Sequence, residues 1–297
     1  PTGTLPGAEY ASCDILDRDR LLSVMHGCDS VVHLAAIAHP GGGTPTAIFD
    51  ANCNGSFNVY DCAAELGIRR VVSASSINAF GFNFGIKSFP IQYFPVDEDH
   101  PVNTTDAYSF SKQIHEEIAA YFWRREGISG ACLRLPYVIN LDGERGARTA
   151  RYLNATPPPL LRLLELPEDQ RRDAVRKVWE TAETVRQRRA NERRERYHDL
   201  DHDAVMLATG ATNFWTRIDA RDSAQAITAA IVTPYEGSHP LFVNAAVNSV
   251  GIASELLLET FFPGVPRRHG PIVGMDTVLS NEKARRLFAF DPQYMKE

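Results

Sequence analysis

The stretch SVVHLAA, residues 30–36, decides the fold. It is a continuous apolar, β-branched run rather than an alternating one. That is the pattern of a strand buried on both faces of a sheet. A second such run, IRRVVSASS, follows at residues 68–76. Between them lie a Gly/Pro-rich loop, HPGGGTP (39–45), and a helical stretch from about Ala47 to Leu66 that stops at Gly67. Strand, long helix and strand make a βαβ unit, and they predict a parallel sheet covered on both faces.

The pattern extends outward. Residues 8–13, AEYASC, read as a short strand ending at Asp14. The segment 17–27, DRDRLLSVMHG, reads as a helix with Asp17 as N-cap, Leu21, Leu22 and Met25 as an apolar stripe, and Gly27 as its stop. Downstream, a Phe-, Pro- and Gly-rich loop spans 79–106. A helix of about five turns then runs to Gly127 and leads into a strand, SGACLRLPYV (129–138). The alternation stops near residue 142, where DGERGARTARYLNATPPP (142–159) reads as irregular. A charged helix follows from Pro167 to His198, basic at its end through Arg186, Arg188, Arg189, Arg193, Arg194 and Arg196. Interleaved acids and the lack of an aromatic stacking platform make this a solvated helix, or one covering a site, rather than a nucleic-acid arm. The α/β pattern resumes with RIDARDSAQAITAAIVT (217–233), where Asp219 and Asp222 lead into an apolar helix. A strand (239–246) and helices within 250–262 and 280–292 follow.

With 297 residues there is room for one large α/β domain, or one domain with an appended lobe. The net charge of -6 speaks against general nucleic-acid affinity. No apolar run approaches the ~18 residues of a membrane span, and no signal-peptide pattern is visible. Cys13, Cys28, Cys53, Cys62 and Cys132 have neither paired nor metal-type spacing. They read as reduced core residues of a cytoplasmic protein without a metal site.

The chemistry centres on YSFSK, residues 108–112. Tyr108 and Lys112 stand four apart, on one helix face, a turn from each other. A phenol of pKa near ~10 is a poor base at neutral pH, and a neighbouring ammonium favours its ionised form. Such a pair can move a proton at an alcohol or carbonyl carbon; the plain alternative is a helix surface. Ser75 and Ser76 stand just past the carboxyl end of a buried strand, where α/β sheets bind ligands, although turn serines are common. Asp14, directly after a strand, can accept from an adenine amino group or cap the helix behind it.

These segments, in this order, resemble the extended short-chain dehydrogenase/reductase family, also called the NAD-dependent epimerase/dehydratase family. CDILD (13–17) resembles the segment after the family's third strand, and VVHLAA (31–36) its cofactor-lining fourth strand. ANCNGSFNVYDCAAELGIRRVV (51–72) resembles its N-x-x-G-T-x-N helix and fifth strand, with Asn52, Gly55 and Asn58 in place. SASSINAFG resembles the S-S-x-x-x-Y-G segment, which selects Ser76 before Gly81, and YSFSK the YxxxK pair. LRLPYV, RIDARDSAQA and NEKARRLFAFDP resemble later elements. The resemblance implies a Rossmann-like doubly wound parallel sheet with a smaller, mainly helical C-terminal substrate lobe. It implies Tyr108 as general acid/base, Lys112 as the group that lowers the phenol's pKa and holds the nicotinamide ribose, and Ser76 as a hydrogen-bonding partner of the reacting oxygen. Asp14 and Ile15 would contact adenine, Leu34, Ala35, Ala36 and Asn52 would line or hold the NAD or NADP, and Pro136 would sit near the carboxamide.

The family's GxxGxxG turn has no counterpart, and HPGGGTP follows the wrong strand to substitute for it. On the family pattern the chain reads as N-terminally incomplete before Pro1, with weak dinucleotide binding by the chain as given. The residue that chooses NAD over NADP is not readable. The expected division is a dinucleotide-binding part over 1–141, with 214–246 returning to it, and a substrate lobe over 142–213 and 247–297. The expected activity is oxidation or reduction at a hydroxyl/carbonyl carbon of a sugar or sugar acid. The alternatives are an epimerase of a sugar or nucleotide sugar with tightly bound NAD, and a non-catalytic nucleotide-sensing member of the fold. Ile77 and Asn78 after Ser76 speak against a dehydratase. Trp215–Arg217 can line the site or merely pack. Helices 47–66 and 107–126 offer the two-helix face of a homodimer; neither a nucleic acid nor a membrane is an expected partner.

Overall fold

The computed structural model describes residues 6–155, 157–195 and 197–294. Pro1 and Arg196, both singled out above, lie outside the described residues. The strands are β1 (Val31–His33), β2 (Arg70–Ala74), β3 (Ser129–Arg134), β4 (Tyr137–Ile139), β5 (Arg217–Asp219) and β6 (Ser238–Phe242). A four-stranded sheet has the order β1-β2-β3-β6, parallel throughout. Strands β4 and β5 form a second, two-stranded parallel sheet.

The helices are α1 (Arg18–Met25), α2 (Pro45–Phe49), α3 (Gly55–Glu65), α4 (Ala107–Glu126), α5 (Gly143–Ala155), α6 (Pro157–Leu164), α7 (Glu168–Gln187), α8 (Ala190–Arg193), α9 (His202–Thr212), α10 (Ala220–Val232), α11 (Ser254–Phe261) and α12 (Glu282–Phe288). Leu21, Val59, Tyr60, Phe122 and Cys132 belong to a core on one face of the main sheet, under α1, α3 and α4. Val72, Leu133, Ala226, Leu241 and Phe288 belong to a core on the other, under α10 and α12. This is the doubly wound arrangement that the apolar strands predicted. A third core, built around Phe80, Phe82, Phe94, Phe214 and Phe262, joins the 79–106 loop to α6, α7, α9 and α11. The C-terminal helix α12 packs on the sheet.

Local chemistry explains the elements. Helix α4 is capped by Asp106, whose side chain accepts from Ser109 N at 2.9 Å, and is closed by Gly127 at φ 68°. At Gly130 a Cβ would meet Val71 O at 1.8 Å, so the β2–β3 approach needs glycine.

Several sequence expectations are corrected. The first apolar run forms β1, but at the edge of the sheet rather than buried on both faces: Val32 is 40% exposed. Residues 8–13 form no strand: among the described residues β1 pairs with β2 alone, and its open edge takes up no part of that segment. The strand expected over 129–138 divides at Leu135–Pro136, where Pro136 offers no N–H, and β4 leaves the main sheet for β5. The 142–159 stretch is helical: the prolines of α6 fall in its first turn, where a missing N–H breaks no helical bond. The 167–198 helix ends at Gln187 and resumes as α8, because Arg189 takes a left-handed φ of 51°. The 47–66 helix is present but begins at Pro45 and widens into a π-turn over Asp50–Asn54.

Candidate active site

The carboxyl end of β2 delivers Ser75 and Ser76, and the amino end of α4 delivers Tyr108 and Lys112. The Ser76 hydroxyl caps the short turn Ile77–Phe80, accepting from Asn78 N at 3.1 Å and from Asn78 Nδ2 at 3.3 Å. Ser75 Oγ donates to Glu116 Oε1 at 2.6 Å. Glu116 in turn takes a two-pronged ion pair from Arg134 Nε and Nη2 at 3.0 and 2.8 Å. Both partners are buried, and the pair ties α4 to β3 directly beneath the two serines.

Tyr108 and Lys112 are each 5% exposed. Burial pushes the Tyr108 phenol above its ordinary pKa; the Ser76 hydroxyl opposes this and Asp106 adds to it. Lys112 Nζ donates to Ala74 O at 2.6 Å, and burial brings its pKa down to about 8. The resemblance implied an ammonium that lowers the phenol's pKa. Here the ammonium is engaged by a backbone carbonyl, and desolvation governs the phenol.

Behind Lys112 lies a buried chain of polar groups. His33 Nε2 and Ser56 Oγ are 3.0 Å apart, and the His115 ring bridges Ser56 Oγ at 2.8 Å and Ser73 Oγ at 2.7 Å. Burial is the main cause that holds both imidazoles below their ordinary pKa, with the Lys112 charge adding to it; His33 falls to about 4.

Ser76, Tyr108 and Lys112 open into one cavity of about 1060 Å³, which also takes in Leu34, Ala36 and Pro136. Asp14, Ile15, Ala35 and Asn52 do not line it. Asp14 Oδ1 accepts from Leu16 N at 3.0 Å, and the Ile15 side chain fills the space above Gly55. Asn52 is a brace: its Oδ1 accepts from Ile37 N at 2.7 Å and its Nδ2 donates to Ile37 O and to Ser111 Oγ. It therefore fixes the loop after β1 against α4. Gly41 and Gly42 are packed rather than open, since a Cβ there would meet Arg194 Cγ at 2.6 Å and Ile37 Cγ2 at 2.3 Å.

Sequence reasoning missed Asn78, Asn83, Phe84 and Thr209 on the cavity wall. Asn83 and Phe84 come from a loop without periodicity, so nothing local marks them. Arg217 and Trp215 line the cavity from β5 and the turn before it. Trp215 sits at φ 48°, and its indole lies 3.1 Å from where a Cβ on Gly210 would be. Among the described lining residues Lys112 and Arg217 are cationic and none is a carboxylate.

The donor set fits the nicotinamide half of a dinucleotide. Ala36 and Ala74 leave room at the strand ends, and the buried Lys112 ammonium has donors within the cavity to offer a ribose hydroxyl. Among the described residues no cluster of three or more His, Cys, Asp or Glu could hold a metal. No helix among them is long and apolar enough to cross a membrane.

Residues 2–158 match the NAD dependent epimerase/dehydratase family. A putative UDP-glucose 4-epimerase of Methanocaldococcus jannaschii is 32% identical over 47% of this chain and 44% of its own length. A uronate dehydrogenase of Pseudomonas syringae pv. tomato is 28% identical over 43% of each chain. The chain thus spans less than half the length of these relatives. A short-chain dehydrogenase/reductase superfamily protein from Agrobacterium tumefaciens, solved with bound NAD, superposes with a TM-score of 0.60 at 18% identity, over 98% of this chain and 82% of that one.

Proposed function

The chain belongs to the NAD dependent epimerase/dehydratase family, and on that premise we propose that it is an NAD(P)-dependent oxidoreductase of a sugar or sugar acid. The observation that carries the reading is the convergence of Ser76, Tyr108 and Lys112 on one cavity at the carboxyl ends of parallel strands. The residues 1–141 with 214–246 would hold the dinucleotide, and 142–213 with 247–297 the substrate. The dinucleotide supplies a hydride acceptor or donor at its nicotinamide ring.

Ser76 Oγ, at the turn after β2, hydrogen-bonds the reacting oxygen. The Tyr108 phenol gives that oxygen a proton on reduction and takes one on oxidation. Its raised pKa keeps it protonated at neutral pH, so the folded site is set as an acid. Lys112, whose ammonium donates to Ala74 O, would hold the nicotinamide ribose, and for oxidation its charge beside the phenol would favour the phenolate. Leu34, Ala36 and Pro136 form the apolar walls beside the nicotinamide. Asp14 and Ile15 would meet the adenine, and Asn52 and Ala35 support the loop between. The positions of Lys112 and Arg217 on the cavity wall support an acidic sugar over a neutral one.

A homodimer through α2, α3 and α4 is supported by two exposed, stacked aromatic pairs. Phe49 and Phe110 have centroids 6.2 Å apart, and Phe57 and Tyr121 6.3 Å. The five free cysteines support a reducing, cytoplasmic setting. Ion pairs of Arg172, Arg176 and Arg188 with neighbouring acids support a solvated α7 rather than a nucleic-acid surface.

The test is NADH production from NAD⁺ with D-glucuronate, D-galacturonate and D-glucose, for the wild type and Tyr108→Phe. Turnover that falls by roughly 10²-fold or more in the variant supports the reading; equal turnover in the two refutes it. NAD retained through dialysis, with epimerisation and no net NADH, would favour the epimerase.

A further inference from the structure

Arg186 has a place that the family resemblance does not explain. It lies in the last turn of α7, in the Arg-rich segment, yet it is only 5% exposed. Its Nη1 donates to two backbone carbonyls, Phe82 O at 2.9 Å and Gly85 O at 2.8 Å. Its guanidinium also stacks 5.5 Å above the Phe82 ring. These contacts bracket the turn Phe82–Gly85 from both ends. The turn is tight: a Cβ on Gly85 would meet Gly81 O at 2.5 Å and Thr105 Oγ1 at 2.9 Å. Helix α9 adds a further hold, Thr212 Oγ1 donating to Asn83 Oδ1 at 2.8 Å.

The two residues inside the bracket, Asn83 and Phe84, line the active-site cavity. The Phe84 ring meets the Tyr108 ring edge-on, with centroids 6.0 Å apart at 68°. A phenol that must reach a substrate oxygen while remaining beside Ser76 has little angular freedom to lose. We infer that Arg186 is a positioning residue: by fixing the 82–85 turn it keeps Phe84 against Tyr108 and so sets the aim of the phenol. This rests on the reading that Tyr108 exchanges the proton. The helical segment then acts on the chemistry from outside the cavity, through carbonyls that no side-chain substitution in the turn can replace.

Fluorine NMR of fluorotyrosine-labelled protein tests this. The Tyr108 resonance is the one that Tyr108→Phe removes. Arg186→Met and Phe84→Leu should both move it, while Arg186→Lys, which retains a donor, should move it less. Arg171→Met is the control: on the same helix it loses the Arg171 Nη1 bond to Leu164 O at 3.1 Å, away from the turn, and should leave the resonance in place. With D-glucuronate and NAD⁺, Arg186→Met should lower kcat roughly ten- to a hundredfold with KM within about threefold. A Tyr108 resonance unmoved in Arg186→Met, whatever its melting temperature, overturns the inference. So does an equal displacement in Arg171→Met. If no variant and no wild-type sample turns over D-glucuronate, the functional reading falls, and the resonance alone still decides the positioning.

Discussion

Acidification should destabilise this protein well before its carboxylates titrate, and the buried imidazoles of His33 and His115 set most of that response. The ring is 6% exposed, on β1, with Ser56 as its hydrogen-bond partner and the His115 ring centroid 5.6 Å away. Burial and the Lys112 charge bring its pKa from 6.5 down to about 4. The sign follows from linkage. Above 6.5 both folded and unfolded chains carry a neutral imidazole, and the full stability is present. Between 6.5 and about 4 the unfolded chain takes a proton that the folded chain refuses, so stability falls with pH. At about 1.4 kcal/mol per pH unit, the window costs roughly 3 kcal/mol, a large part of the ~5–15 kcal/mol that holds a domain folded. His115, fully buried and also held low, adds in the same direction, as does His100. Glu98 and Asp106, whose pKa values burial raises, oppose it. Asp199, Asp219 and Glu255 are held low and lose their contribution only at more acid pH. The His33→Gln variant separates the terms. Urea unfolding from about pH 7 to about pH 4.5 should give a wild-type curve that falls steeply and a variant curve shallower by about 1.4 kcal/mol per pH unit. Parallel curves would refute the assignment of His33 as neutral and buried.

Arg217→Met should raise KM for D-glucuronate by roughly tenfold or more, the worth of a charged hydrogen bond, and leave KM for D-galactose unchanged; equal effects on both would count against an acidic-sugar site. Glu116→Leu leaves Arg134 buried without its partner and should cost about 3–5 kcal/mol by denaturant midpoint. Gly130→Ala, which drives a Cβ to 1.8 Å from Val71 O, should lower the melting temperature sharply, because the nearest atom is strand backbone that cannot swing aside. On the proposed dimer, the wild type should sediment as a dimer and a Phe49→Lys/Phe110→Glu double variant as a monomer at the same concentration; a monomeric wild type, or equal sedimentation coefficients, would overturn that interface.

The parts of the molecule that were legible in the sequence are those built from contiguous patterns. IRRVVSASS announces a buried parallel strand because a strand covered on both faces needs apolar residues at successive positions; SVVHLAA announces a parallel strand too, but its burial was misread, because β1 lies at the sheet edge with Val32 exposed. Helix α4 was legible at both ends because Asp106 and Gly127 are local caps. Tyr108 and Lys112 stand out as a pair because they sit one helical turn apart, whereas strand position alone leaves Ser75 and Ser76 equal and the family resemblance chooses Ser76. The cavity wall was not legible. Asn83 and Phe84 are placed by Arg186 and Thr212, residues more than a hundred positions later, and no window of sequence contains that relation. The 142–159 stretch was misread because Pro and Gly signal irregularity everywhere except in a helix's first turn.

The same distinction bears on how the proton is handled. A tyrosine and a lysine one turn apart suggest an ammonium poised on a phenol. In the fold Lys112 Nζ has a nearer partner in Ala74 O at 2.6 Å, and the phenol is held protonated by burial. The carbonyl of Ala74 belongs to the strand end that opens the cavity, so a ligand hydroxyl arriving there competes for the same ammonium. Lys112 is 5% exposed, and burial brings its pKa down to about 8. On the proposed reading, the phenol's acidity would be tied to occupancy of the strand end: a protonated acid while Ala74 O holds the ammonium, and a stronger acid were the ammonium drawn toward it. Helix α4 supplies the pair, but Ala74 O at the strand end and the Phe84 ring against Tyr108 belong to segments outside it.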